Sequence, residues 1–327
     1  MDAPAIFLAH TPAMRRNYYG EQALAGLRQL GPVRLHDGDA PLDARQLVAA
    51  ASGARVIVAD RMTAGPASVF AGLPQLSAFV RVAVDISTID VPAASEAGVL
   101  VTRAGPGFVP SVVELVIGLM VDLARGVSTA AAQYRAGQAP VAVMGRQLAG
   151  STLGIIGYGS IGRRLAPLGT ALGMAVLVTD PYAAVDAPFR PVPFGTLLRQ
   201  ADFVVCLAVA SPETENLMDQ AAFAQMRPDA FFINVSRGGL VDEVALEAAL
   251  REGRLAGAAL DVGRAPDQMP MPSLAALPNV VATPHIGGLT PPAIEAQALE
   301  TVDQVRTLLR GEVPKGAVNA EAWKHRA

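Results

Sequence analysis

A single cysteine, Cys206, is all the thiol chemistry this chain carries, so an internal disulfide framework is excluded. It lies in the apolar run Phe203-Val204-Val205-Cys206-Leu207, where a small core side chain is expected rather than a nucleophile. Charge is also scarce. Charged residues make up 17% of 327, and the net charge is only −3. No strong field draws nucleic acid or an anionic membrane surface. Long hydrophobic runs are missing too. A membrane-crossing helix needs about 18–20 apolar residues, and the best candidate, 112–123, is interrupted by Glu114 and Asp122. Nor does the start read as a secretory signal, since Met1-Asp2-Ala3-Pro4 opens with an acid and a proline. The expectation is a soluble protein of a reducing, cytoplasmic compartment, with a small-molecule substrate, no nucleic-acid or membrane partner and no metal.

What the chain does have is apolar material, 51% of its residues, enough for two domain cores at this length. Short β-rich apolar runs alternate with helical stretches almost from end to end. Strands are expected over 6–8, 33–36, 56–58, 79–82 and 99–101. Further on they are expected over 152–156, 176–179, 204–207, 231–234, 258–262 and 280–282. Runs that are apolar on both faces belong to parallel sheets covered on both sides by helices. The pattern predicts α/β architecture with two doubly wound parallel-sheet domains. A helix is expected over 111–124, with Ser111 and Glu114 as a capping box, and others over 163–172 and 292–309.

The clearest motif follows the strand at 152–156. Gly157-Tyr158-Gly159-Ser160-Ile161-Gly162 is a GxGxxG turn opening a helix. Its glycines allow a tight turn, close approach of a pyrophosphate, and close helix–strand packing. The backbone N–H groups from Ser160 and Ile161 onward and the helix dipole then face the phosphates. Alone such a turn is weak evidence. Here the next strand ends in Asp180, eighteen residues beyond Gly162, near the spacing of about 20 for the acid that binds the adenosine ribose. An acid there also repels a 2′-phosphate, which points to NAD.

Two more segments carry chemistry: Asn234-Val235-Ser236-Arg237-Gly238-Gly239 after one buried strand, and Thr283-Pro284-His285-Ile286-Gly287-Gly288 after the strand two further on. Functional groups of such sheets gather at strand carboxyl ends. An arginine can grip a carboxylate and polarise a neighbouring carbonyl. A histidine can give or take an alcohol proton near neutral pH. Of the other histidines, His10, His36 and His325 have no comparable setting and read as structural or exposed.

The glycine loop with its Asp-Pro-Tyr strand end, the Asn-Val-Ser-Arg-Gly segment, Ala259-Leu260-Asp261-Val262 and Thr-Pro-His-Ile-Gly-Gly occur in order over nearly the whole chain. In this the chain resembles the D-isomer-specific 2-hydroxyacid dehydrogenases. The resemblance implies Arg237 as the group that binds substrate carboxylate and carbonyl, and His285 as acid/base. It places Asp261 near the nicotinamide and Val235 in the cofactor pocket. It implies a Rossmann NAD-binding domain (104–286) inserted into a flavodoxin-like catalytic domain (1–103 plus 287–327), an active site in the cleft between them, and a homodimer formed through the cofactor domain.

Three departures stand out. The family's partner glutamate for the histidine falls at Pro266, and the nearest carboxylate is Asp267, either a replacement or an ordinary loop acid. The turn that holds the substrate carboxylate reads Ala83-Val84-Asp85, with Asp85 where glycine is common. Arg103 stands where asparagine is frequent; it either pairs with Asp85, binds an extra anionic group on the substrate, or is a surface arginine. These readings leave three functions open: an active 2-hydroxy acid dehydrogenase, an NAD(H)-binding sensor or scaffold with little catalysis, or hydride transfer from a small inorganic or one-carbon anion.

Overall fold

The computed structural model describes residues 6–324, and the chain divides into two compact units, Met1–Phe108 with Pro291–Ala327, and Val109–Thr290. The sequence had suggested breaks at 103/104 and 286/287. Both fall later, at 108/109 and 290/291; the loop through Ile286 and Gly287 is hydrogen-bonded to Asp261 and stays with the second unit. His325 lies outside the described residues.

The first unit holds β1 (Ile6–Leu8), β2 (Val33–Leu35), β3 (Val56–Ala59), β4 (Ala78–Arg81) and β5 (Leu100–Arg103), parallel throughout and ordered β2-β1-β3-β4-β5. That is the flavodoxin-like order, with its switch point between β1 and β3. Alternate strand residues go to opposite faces. Ile6, Leu8, Val56, Val58 and Val80 pack with Leu24, Leu27, Val302 and Val305 on one side. Phe7, Ile57, Phe79 and Val101 pack with Leu47 and Phe70 on the other. The helix Pro291–Leu308 therefore closes a sheet whose strands all lie within residues 6–103, and this discontinuity is fixed by ordinary apolar burial.

The second unit holds β6 (Thr152–Ile156), β7 (Ala175–Thr179), β8 (Arg190–Pro191), β9 (Phe203–Cys206), β10 (Phe231–Asn234), β11 (Gly257–Leu260) and β12 (Val280–Ala282). All are parallel, in the order β12-β11-β10-β9-β6-β7-β8. Read from β8, this is the Rossmann order extended by one strand, with the switch point between β6 and β9. Ile156, Val204, Cys206, Phe232 and Leu260 share one core with Leu197, Phe223 and Leu246. The helix Val109–Arg125 covers the other face. Cys206 is fully buried, and burial pushes its thiol up to about 12.

Three local expectations are corrected. Ser111 and Glu114 do not cap the helix. It starts at Val109, with Pro110 in its first turn, where a missing N–H breaks no helical bond. Ser111 instead shares a 2.7 Å hydroxyl hydrogen bond with Thr290. β11 ends at Leu260 rather than 262, which leaves Asp261 just past the strand. The short strand β8 was not foreseen at all, since two residues show no period. No single helix among the described residues is long and apolar enough to cross a membrane.

Candidate active site

The glycine turn leaves β6 at the switch point. Gly157 has φ +97°, and a Cβ there would lie 2.7 Å from the backbone of Leu207 and Ala208. A Cβ on Gly162 would lie 2.4 Å from the Gly157 carbonyl oxygen. Neither position tolerates a side chain without moving backbone. Gly159 is different: a Cβ there would meet nothing within 4 Å, and it precedes the helix Ser160–Ala171 with no side-chain cap. The first N–H groups of that helix, at Ser160, Ile161 and beyond, therefore face an open cradle, which suits a pyrophosphate.

Asp180 directly follows β7 beside this cradle. One carboxylate oxygen accepts from the Tyr158 N–H at 2.7 Å, and the other from Tyr182 and Ala183, each at 2.8 Å. Partial burial pushes its carboxyl upward, but the three N–H donors and the nearby Arg163 outweigh this and hold it below the usual carboxylate range. The acid thus shapes the glycine turn as well as presenting charge. The cradle and the anionic strand end together fit NAD.

The candidate catalytic groups lie at other strand ends of the same sheet. Beyond β10, the buried Asn234 donates to the Arg237 carbonyl at 2.9 Å and accepts from the Ser236 N–H at 3.1 Å, while the Ser236 hydroxyl donates to the Ala208 carbonyl at 2.7 Å. Val235 is buried between them. The turn is rigid, and Arg237 projects from it half-buried. Its guanidinium donates to the Ser236 carbonyl at 2.8 Å and enters no ion pair among the described residues. Most of its donors remain open for an anion.

Beyond β11, Asp261 is almost fully buried, and its carboxylate accepts from the Thr283 hydroxyl (2.7 Å) and from the Ile286 and Gly287 N–H groups (2.8 Å each). It fixes the loop that carries His285. His285 itself adopts φ +56°, a left-handed conformation that costs a non-glycine residue roughly 1–2 kcal/mol and is found where surrounding structure enforces it. Its Nδ1 lies 3.1 Å from the main-chain carbonyl oxygen of Asp267. A carboxylate replacement at Asp267 is therefore not what the structure shows: the carbonyl takes that place, and the side chain is exposed.

In the first unit, Val84 and Asp85 sit half-buried on the loop after β4. Asp85 accepts from the Ser87 N–H at 2.8 Å, and its charge acts on Arg81, a residue overlooked in the sequence. Arg81 is fully buried and donates to the carbonyls of Asp60 and Thr63 and to the Thr88 hydroxyl. Burial lowers its pKa to about 10, against the opposing charges of Asp60 and Asp85. Arg103 ends β5 exposed and enters no ion pair among the described residues.

Comparison with known proteins agrees with this geometry. Residues 117–287 match the D-isomer specific 2-hydroxyacid dehydrogenase, NAD-binding domain. D-3-phosphoglycerate dehydrogenase of Mycobacterium leprae is 33% identical over 326 residues, 98% of this chain and 60% of that protein. (S)-sulfolactate dehydrogenase of Chromohalobacter salexigens is 37% identical over 273 residues, 82% of this chain and 88% of that one. A crystal structure of a putative D-isomer specific 2-hydroxyacid dehydrogenase from Polaromonas superposes with a TM-score of 0.87 at 27% identity, over 97% of this chain and all of that chain. The fold and cradle define an NAD-binding α/β protein of two parallel-sheet units. The chain belongs to the D-isomer specific 2-hydroxyacid dehydrogenase family. It spans about 60% of the length of the mycobacterial relative.

Proposed function

We propose that the chain interconverts a small D-2-hydroxy acid and its 2-oxo acid with NAD(H). One observation carries the reading: an uncommitted guanidinium and an imidazole with one fixed and one free nitrogen stand on loops of the sheet that holds the dinucleotide cradle. Arg237 binds the substrate carboxylate and draws density from the 2-carbonyl. His285, with Nδ1 against a carbonyl, has Nε2 available. In the reductive direction Nε2 donates a proton to the carbonyl oxygen as the alcohol forms; in the oxidative direction it removes it. Gly157, Gly159, Gly162 and Asp180 would hold NADH, which would supply the hydride when bound.

Arg103 is proposed to read a second anionic group on the substrate. The substrates named for two relatives, 3-phosphoglycerate and sulfolactate, are 2-hydroxy acids that carry one. The test is NADH oxidation with a panel of 2-oxo acids, from glyoxylate and pyruvate to dianionic ones, on wild type and Arg103→Ala. Oxidation that depends on the acid is expected. KM for dianionic acids should rise about two- to fivefold in the variant with monoanions little changed, as for loss of one solvent-screened ion contact. If no acid is consumed while NADH still binds, the sensor reading takes over. Equal effects on both acid classes remove Arg103 from specificity.

A homodimer formed through the second unit is proposed as well. After the helix Val127–Arg135 the chain has no regular structure over 138–147 and leaves Val141 83%, Val143 85% and Met144 95% exposed, and Tyr134 on that helix is 69% exposed. Three large apolar side chains on this segment and one on the helix before it suit a self-contact. Light scattering is expected to give twice the chain mass, and Val143→Asp with Met144→Asp a monomer. A monomeric wild type at micromolar concentration would rule the dimer out.

A further inference from the structure

Resting on the reading of His285 as acid/base, we propose that the imidazole is held by a main-chain carbonyl, that of Asp267, and that Arg264 locks the loop presenting it to the turn that carries Arg237. Asp267 is then a positioning residue that acts through its backbone, and its carboxylate is dispensable.

The chemistry of the contact fixes its direction. A carbonyl oxygen only accepts, so the proton between it and His285 sits on Nδ1, and Nε2 is the end left to exchange protons. A carbonyl accepts equally from neutral and protonated imidazole, so the orientation survives each proton transfer. Pro266, at the position where the resemblance puts a glutamate, offers neither a carboxylate nor an N–H.

The loop is built to present that oxygen. Asp267 (φ +58°, ψ +21°) and Gln268 (φ +59°) are consecutive left-handed residues, a conformation open to glycine, asparagine and aspartate but severe for β-branched side chains. The Gly263 N–H donates to the Gln268 carbonyl at 2.8 Å, and the Ala265 N–H to the Met269 carbonyl at 3.0 Å, closing the loop on itself. A Cβ on Gly263 would lie 2.6 Å from Pro270 Cα, and a Cβ on Gly238 would lie 2.2 Å from the Gly263 carbonyl. The loop base thus packs backbone to backbone against the residue after Arg237.

Arg264 completes the lock. Its Nη2 lies within hydrogen-bond distance of Glu215 Oε1 (2.8 Å), Asn216 Oδ1 (2.6 Å) and the Gly239 carbonyl (3.0 Å), and its Nε donates to the Val241 carbonyl at 3.2 Å. Its backbone N–H donates to Glu243 Oε1 at 3.0 Å. One cation therefore spans the loop behind His285 and the Gly238–Leu240 turn beyond Arg237, so the two groups that must meet one substrate are tied through a few covalent and hydrogen bonds.

Three variants test this. Asp267→Asn and Asp267→Gly keep both the left-handed backbone and the carbonyl; kcat is expected within about twofold of wild type, with an unshifted pH profile. Asp267→Val disfavours the conformation, and kcat should fall tenfold to a hundredfold, the range for a small misplacement of a catalytic group, with NADH affinity and melting temperature little changed. The ¹⁵N resonances of the His285 ring give a readout independent of turnover. The Nδ1-protonated tautomer is expected in wild type and Asp267→Asn, and lost in Asp267→Val. Should Asp267→Asn fall as far as Asp267→Val, the partner is the carboxylate and the proposal is overturned; an Nε2-protonated ring in wild type does the same. If instead His285→Ala stays active while the Nδ1-protonated signature is intact, the acid/base reading fails and the carbonyl contact stands.

Discussion

Replacing His285 with alanine is expected to lower kcat for 2-oxo acid reduction by about 10²–10⁴-fold, the usual contribution of a positioned general acid, equivalent to roughly 3–5 kcal/mol of transition-state stabilisation. The dissociation constant for NADH should stay where it is. The cradle is made by Gly157, Gly159 and Gly162 and braced by Asp180, none of which is hydrogen-bonded to His285. The backbone adds a sharper version of the same test. At φ +56° the histidine is strained, and glycine relieves that strain where alanine does not. His285→Gly should therefore be at least as stable as wild type and as inactive as His285→Ala. A residue kept for packing would show the opposite, with stability falling and activity following it. Retention of more than a tenth of wild-type kcat in a folded His285→Ala protein would falsify the assigned role. Such a result would return attention to Arg237 alone, which can polarise a carbonyl but cannot supply the proton.

The parts of this site that were visible in the sequence are those built from side chains at fixed spacing. A glycine turn must follow a strand and precede a helix, and Gly157 to Gly162 do. The reason each glycine is there, a backbone atom within 2.4–2.7 Å of the missing Cβ at Gly157 and Gly162, is the one the motif presumes. Arg237 and His285 were legible because a doubly wound sheet puts strand carboxyl ends on one edge. What stayed hidden was made by the main chain or by residues far apart in sequence. The partner proposed for His285 is a peptide carbonyl, to which no residue type corresponds; the sequence could offer only the carboxylate of the same residue. Asp261 was expected from resemblance near the nicotinamide; the structure adds three donors from 283–287 that only a folded loop brings to it. The capping box at Ser111 and Glu114 matched its pattern, but Pro110 two residues into the helix had already set the start. Arg81 was missed because a single arginine within an apolar strand carries no period; its three acceptors come from two loop segments, Asp60 and Thr63 on one and Thr88 on the other.

His10 belongs to that same hidden region, and it is expected to make the protein acid-labile. It follows β1, is fully buried, and neither ring nitrogen has a partner among the described residues. Its ring lies 5.1 Å from that of Tyr19. Burial lowers its pKa to about 4; the Asp60 charge opposes that, and Arg15 and Arg81 reinforce it. The sign follows from linkage. The folded state holds the imidazole neutral, while the unfolded chain takes up a proton near the ordinary pKa of about 6.5. Stability from this group is thus complete above about pH 6.5 and is lost as pH falls toward 4, at roughly 1.4 kcal/mol per unit. His10→Phe keeps an aromatic ring against Tyr19 and removes both the titration and two unsatisfied nitrogens. Relative to wild type it should gain about 2 kcal/mol between pH 7.5 and pH 5, or roughly 4–8 °C in melting temperature for a unit of this size. Above pH 7 the gap between the two proteins should be constant. Melting curves that stay parallel from pH 7.5 to 5 would mean that His10 is protonated at no greater cost folded than unfolded. In that case Asp60, rather than burial, decides its charge, and the buried arrangement of His10, Asp60 and Arg81 holds an ion pair instead of a neutral ring.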